Sequence, residues 1–270
     1  MRVLVTRPKN EVSKWVDALV DAGYDARALP LIGVLPAPDP SAVVAAWQRL
    51  NTFDAVMFVS GNAADHFFAL KPAAAPEFTA QDATKVRAFV TGPGSFSALK
   101  RAQVEPERID MPDREAGQFD SEALWQVVAR RVQPGYRVLI VRGTGSAGAT
   151  GAQAQELPDG AGRDWFADQV RSAGGVVEFV VSYQRSAPQL MAQEREMACK
   201  AATDGSVWLF SSSEAIGNLL AACPDQNWTQ AKAVVTHSRI GQTAREAGFC
   251  VVCESRPMLA DLMASIESLG

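Results

Sequence analysis

Histidine is nearly absent: the 270 residues include two, His66 and His237. That scarcity weighs against imidazole chemistry and leaves too few ligands for a zinc site. His66 stands in DHFFAL beside apolar residues and reads as structural. The four cysteines (Cys199, Cys223, Cys250 and Cys253) are too few to staple a chain of this length, and a reducing cytoplasm suits them. The CxxC at 250–253 follows Gly248 in a run that reads as a strand. Positions three apart on a strand face opposite ways, so these read as structural cysteines. Long apolar runs are missing as well. AVMFV (55–59) and VVEFVV (176–181) are strand-sized, far from the roughly 20 residues that cross a bilayer. The opening MRVLVTRPKN has no apolar core, so no signal peptide is expected. Charge of either sign is not in excess: 26 Lys and Arg against 30 Asp and Glu leave −4. No global field would gather nucleic acid or an anionic membrane, so neither is expected as a partner. An anionic ligand would need local positive charge or backbone N–H groups.

What is present is ordinary globular material. Hydrophobic residues make up 47% and charged residues 21%, which excludes disorder, collagen and coiled coil. At roughly 150 residues per domain, two domains are expected. RVLVT (2–6) reads as a buried strand. Asn10 then reads as an N-cap, Val12, Trp15, Val16, Leu19 and Val20 recur at helical spacing, and Gly23 closes the helix. The rhythm continues through AVMFV, RAFVT (87–91), RVLIV (137–141), VWLF (207–210) and AVVT (233–236). Uniformly apolar strands, each followed by a helix, specify a parallel sheet covered on both faces, and hence the α/β class.

The chain also repeats itself. RVLVTR (2–7) resembles RVLIVR (137–142), and WVDALVDAG (15–23) resembles WFADQVRSAG (165–174). AVMFVSGNA (55–63) resembles VWLFSSSEA (207–215), and VTGPGSFSALKRA (90–102) resembles VTHSRIGQTAREA (235–247). DSEALWQVV (120–128) weakly resembles MLADLMASI (258–266). The order is kept, which points to duplication of one α/β unit into two similar lobes. The first strand match is offset by 135, and the helix that follows it ends, from Gly23 to Gly174, at an offset of 151, so about 16 residues are inserted between Arg142 and Arg163. The insertion, 143–162, is Gly/Ala-rich without periodicity and reads as a mobile loop. Its GTGSAG (143–148) fits GxGxxG, but no apolar helix follows, so a dinucleotide site is the weaker reading. LPLIGVLPAPDP (29–40) and VVSYQRSAP (180–188) are extended and end in proline, as two antiparallel connectors at a hinge would.

Hydroxyl- and glycine-bearing turns stand where strands should end and helices begin. They are VSGN with Ser60 and Asn62, TGPGS with Gly92 and Ser95, FSSSE with Ser211 and Ser212, and THSR with His237, Ser238 and Arg239. In parallel α/β sheets ligands bind at that edge, and free helix N–H groups with hydroxyls can hold anions. Ser60, Ser95, Ser212 and Ser238 equally fit ordinary N-caps. Arg7 and Arg142 occupy the same place in the two repeats, and Arg163, Arg185 and Arg239 fall in other loops or connectors. An Arg fork clamps carboxylates or phosphates, although each also fits a solvated surface charge. Tyr183, one of three tyrosines, sits in the second connector. A phenol, with its usual pKa of about 10, is a neutral proton donor, or a packing residue between lobes.

Taken in order, VLVTRP, FVSGN, VTGPGSFSAL, the IVRG…GR stretch before WFADQVRSAGG, VSYQRSAP, LFSSSEAI and VVTHSRIGQTAREAGF resemble the uroporphyrinogen-III synthase family over essentially the whole chain. The resemblance implies two α/β lobes joined by a two-stranded connector. One lobe would hold 1–34 with 186–270 and the other 40–180, with connectors at 35–39 and 181–185. It implies an enzyme without cofactor or metal that cyclises hydroxymethylbilane, a linear tetrapyrrole with eight carboxylates, handed over by hydroxymethylbilane synthase; a monomer is the default expectation. The hydroxyl leaves to give an azafulvene, and a spiro-pyrrolenine inverts ring D. Tyr183 matches the family's tyrosine that assists that departure, and eight carboxylates would call for many local N–H, hydroxyl and Arg donors, which the turns and arginines above could supply. Three departures stand out: Ser95 where the family often has Thr, FVS where FTS is commoner, and HSRI at 237–240, so that Ile240 brings no hydroxyl. A non-catalytic relative of the same form, binding a tetrapyrrole or another small anion, is the alternative.

Overall fold

The computed structural model describes residues 1–75, 86–113, 118–145 and 161–269. They divide into two compact units, Met1–Val34 with Ser186–Gly270, and Leu35–Arg185.

In the first unit, strands β1 (Arg2–Val5), β2 (Asp25–Ala28), β9 (Val207–Phe210), β10 (Lys232–Val235) and β11 (Val251–Glu254) form a sheet in the order β11-β10-β9-β1-β2. Every pairing in it is parallel. Side chains alternate across a strand, and here both faces are covered. Val3, Val5, Val207, Leu209 and Val234 pack with Val12, Leu19, Leu262 and Ile266 of α1 (Lys9–Asp21) and α10 (Leu259–Glu267). Leu4, Trp208, Phe210, Ala233 and Val235 point the other way, onto Ala198, Ile216, Leu219 and Ala244. Those residues belong to α7 (Ala192–Ala201), α8 (Ser213–Ala222) and α9 (Ser238–Glu246). Two apolar faces therefore explain why the strands lack polar alternation.

The second unit holds a sheet in the order β3-β8-β7-β4-β5-β6. Its strands are β3 (Gly33–Pro36), β4 (Ala55–Phe58), β5 (Arg87–Val90), β6 (Ile109–Asp110), β7 (Arg137–Thr144) and β8 (Val176–Ser186). The pairings from β8 through β6 are parallel. Ala55, Met57, Phe89, Val138 and Ile140 pack on Leu124, Val128, Phe166 and Val170 of α5 (Ser121–Val128) and α6 (Ala161–Ser172). Toward α2 (Ser41–Gln48) and α3 (Gly61–Ala69), Phe58 meets Phe67, and Phe67 stacks on Trp47 at 4.6 Å. The Trp47 indole N–H donates to the Phe67 carbonyl at 2.9 Å.

Matched through the repeats, the sheets have the same strand order: β2-β1-β9-β10-β11 against β8-β7-β4-β5-β6. Several local expectations need correction. Pro8, not Asn10, precedes α1, and its carbonyl accepts from Glu11 and Val12. A proline at that point cannot donate, so a helix begins there without losing a bond. Gly23, at φ +91, does follow the helix end. The stretch from 143 is not loop throughout: β7 runs through Thr144, and α6 begins at Ala161. Residues 146–160, with most of GTGSAG, lie outside the described residues.

Candidate active site

The C-terminal end of β8 departs from regular pairing. Arg142 pairs with Val181, but Gly143 pairs with Tyr183, so Ser182 is an extra residue. Such a bulge re-aims the side chain beside it. Ser182 is fully buried, and its hydroxyl donates to the Ala63 carbonyl at 3.1 Å, pinning the bulge to the first turn of α3. Tyr183 is thereby carried to the start of the same helix. Its hydroxyl oxygen lies 3.2 Å from Ser60 Oγ. Ser60 is the N-cap of α3 and accepts the Ala63 N–H at 3.1 Å, so a helix start and a sheet edge fix both ends of the pair.

Two further groups meet the phenol ring. The His66 imidazole stacks on it with centroids 5.8 Å apart and planes 22° apart. Burial pushes the His66 pKa below the usual imidazole value, against the opposing charge of Asp65, so the ring is neutral at pH 7. Gly143 lies directly beneath the phenol: a Cβ there would stand 2.7 Å from both Cε atoms and closer still to Cζ. The chemistry available is a transferable phenolic proton, hydrogen-bonded to a serine hydroxyl and flanked by a neutral ring.

Other expected site residues lie along the same sheet edge. Asn62 is buried in the first turn of α3, one helical turn before His66. Gly92 precedes α4 (Pro93–Arg101), and Ser95 is buried inside that helix. Ser95 is thus no cap, because Pro93 opens the helix two residues earlier. The Arg142 guanidinium stacks 4.5 Å over Phe179. Arg163 falls in the first turn of α6, and its side chain lies outside the described residues.

In the first unit a second polar row follows β1, β9 and β10, which are neighbours in the sheet. Arg7 is 13% exposed, pairs with Glu11 at 3.2 Å and lies 4.2 Å over the Trp15 ring. Burial lowers its pKa, opposed by the Glu11 carboxylate, and its Nε is buried with no hydrogen-bond partner. Ser212 caps α8 by accepting the Glu214 N–H at 3.2 Å, and Ser211 precedes it, half-buried. His237 is the cap of α9, its Nδ1 accepting the Arg239 N–H at 3.1 Å. Ser238 is therefore the first helical residue and not the cap. It and Arg239 are exposed, while Ile240 is in the core.

Sequence reading missed His66 and Gly143 as neighbours of Tyr183. The spacing from Asn62 to His66 does place both on one face of a helix. Gly143 carried no such signal, because only the bulge brings it under the ring.

Two sheets of parallel strands covered by helices, with hydroxyl and N–H donors at their C-terminal edges, define a two-unit α/β protein. The profile of the uroporphyrinogen-III synthase family, HemD, matches residues 13–149. The structure of uroporphyrinogen-III synthetase from Helicobacter pylori is 14% identical, with a TM-score of 0.59 and full coverage of both chains. A mutant uroporphyrinogen III synthase from Thermus thermophilus is also 14% identical, with a TM-score of 0.54 over 100% of this chain and 98% of that one. At such identity these two show a shared fold. The family match spans half of the chain, and the chain belongs to the uroporphyrinogen-III synthase family, a family of enzymes.

Proposed function

We infer that the protein cyclises hydroxymethylbilane to uroporphyrinogen III, with inversion of ring D and loss of water, as a carbon–oxygen lyase that needs no cofactor. Family membership supports the reaction. The observation that carries the assignment of roles is the Tyr183 hydroxyl held 3.2 Å from Ser60 Oγ at the end of a parallel sheet.

In this reading the Tyr183 O–H donates its proton to the departing hydroxyl. The C–O bond breaks, water leaves, and the pyrrole nitrogen supplies electrons to form the azafulvene. Ring D is attacked at its substituted carbon to give the spiro-pyrrolenine, which fragments and recloses in the inverted sense. Loss of a ring proton restores aromaticity, and the phenol is reprotonated, so the net change is loss of one water. Ser60 orients the phenol. Asn62, Gly92, Ser95, Arg142, Arg163, Arg7, Ser211, Ser212, His237, Ser238 and Arg239 form the inventory from which carboxylate donors come. With a net charge of −4, capture of an octa-anion falls to such local donors. Most of the acceleration is positioning and electrostatics. The protein works as a monomer in the cytoplasm, receiving substrate from hydroxymethylbilane synthase.

The test supplies porphobilinogen and a deaminase, oxidises the products and separates the isomers. Type III is expected; only type I, the spontaneous closure product, would reject the reading.

A further inference from the structure

Gly143 belongs to a glycine-rich run whose dinucleotide-like pattern the proposed reaction does not use. The structure gives this glycine a different purpose. Any side chain at 143 would enter the Tyr183 ring, with a Cβ 2.7 Å from each Cε atom. Real Cβ atoms do not approach that closely, so the phenol occupies space that only glycine leaves open. The same ring stacks on His66 at 5.8 Å, and its hydroxyl is tied to Ser60. His66 in turn stands on α3, the helix that Ser60 caps and that anchors the Ser182 bulge.

We propose that Gly143 and His66 are positioning residues for the proposed reaction, holding the Tyr183 phenol so that its hydroxyl meets the substrate's leaving oxygen. This rests on the Tyr183 role proposed above. Gly143 acts through the space it leaves, and His66 acts as a flat neutral ring. Neither needs to touch substrate.

The test is a set of variants in the full chain, measured for type III formation and thermal unfolding. Gly143→Ala is expected to lower kcat by about tenfold to a hundredfold with KM changed less than about twofold, the signature of misplaced chemistry. His66→Ala should lower kcat less, and His66→Phe, which keeps a stacking ring, should restore most of it. In unfolding, Gly143→Ala should lower Tm when residue 183 is Tyr and leave Tm unchanged in a Tyr183→Ala background, because the conflict is then gone. Gly143→Ala with unchanged kcat and Tm would overturn the proposal for Gly143. Equal losses in His66→Ala and His66→Phe would overturn it for His66. If Tyr183→Phe leaves turnover unchanged, the proton-donor role itself has failed. The Tm cycle then still decides whether residues 143 and 183 are coupled, since it does not depend on activity.

Discussion

Tyr183 and Ser60 lie 123 positions apart, yet they share one hydrogen bond. Tyr183→Phe keeps the ring and removes the proton, so type III formation should slow by about a hundredfold or more, the usual range for a lost general acid, while Tm stays close to wild type. Unchanged turnover would reject the acid role. His66 offers a spectroscopic check because the chain has just two histidines. Its NMR titration, assigned with His237→Ala, should show a midpoint below the ordinary value of about 6.5. A group whose folded pKa is depressed contributes stability above its unfolded pKa and loses it as pH falls. His66 should therefore weaken the fold progressively below about pH 6.5, and a midpoint at or above the ordinary value would contradict this. Tyr183 was legible because a lone tyrosine in a connector is conspicuous. Its neighbours were not. His66 sits among phenylalanines, and Gly143 acquires meaning only from a register shift that no local pattern announces.

At the scale of elements, β8 carries two separable functions. Its far end positions Tyr183, while Glu178 near its start bridges Arg137 and Arg49, at 2.7 Å each. Burial works against the Glu178 carboxylate, but hydrogen bonds from Arg137 and Arg49 outweigh it and hold the pKa below the ordinary range. The stability this provides is present above the unfolded pKa and is lost as pH falls toward the folded one. Glu178→Gln should therefore lose less Tm than wild type on going from about pH 6 to about pH 3. An equal loss would show that the bridge does not contribute. Behind α3, Trp47 is fully buried and stacked on Phe67. Trp47→Ala should cost about 3–5 kcal/mol in denaturant unfolding of the second unit, and a cost under about 1 kcal/mol would contradict the packing described. The apolar strands β1, β4, β5, β7, β9 and β10 could be read directly, because both of their faces are covered. β2, with sequence DARA, and the two-residue β6 escaped notice. Each ends a sheet, where short and polar strands are tolerated.

For the whole molecule, the internal repeats and the two sheets tell one story. Two stretches of chain resemble each other in order, and each sheet takes strands from both: β1 and β2 join β9 to β11, while β4 to β6 join β7 and β8, so that matching strands hold matching places. The repeat also put Arg7 and Arg142 in matching places, but the structure treats them differently. Arg7 pairs with Glu11 over Trp15, whereas Arg142 stacks on Phe179. Equivalent position in a duplicated unit does not ensure an equivalent role, since the neighbouring side chains have diverged. The expected caps show the same limit: Ser60 and Ser212 cap helices, but Ser95 and Ser238 lie inside them. The central claim is that this family fold, through a tethered phenol, directs closure of a linear tetrapyrrole with ring inversion. Its most direct measurement is the ratio of type III to type I product formed from hydroxymethylbilane by wild type and by Tyr183→Phe, at matched concentration and Tm. A type III excess that collapses in the variant is the result expected. A wild-type product consisting of type I alone, or a variant ratio equal to that of wild type, would contradict the account.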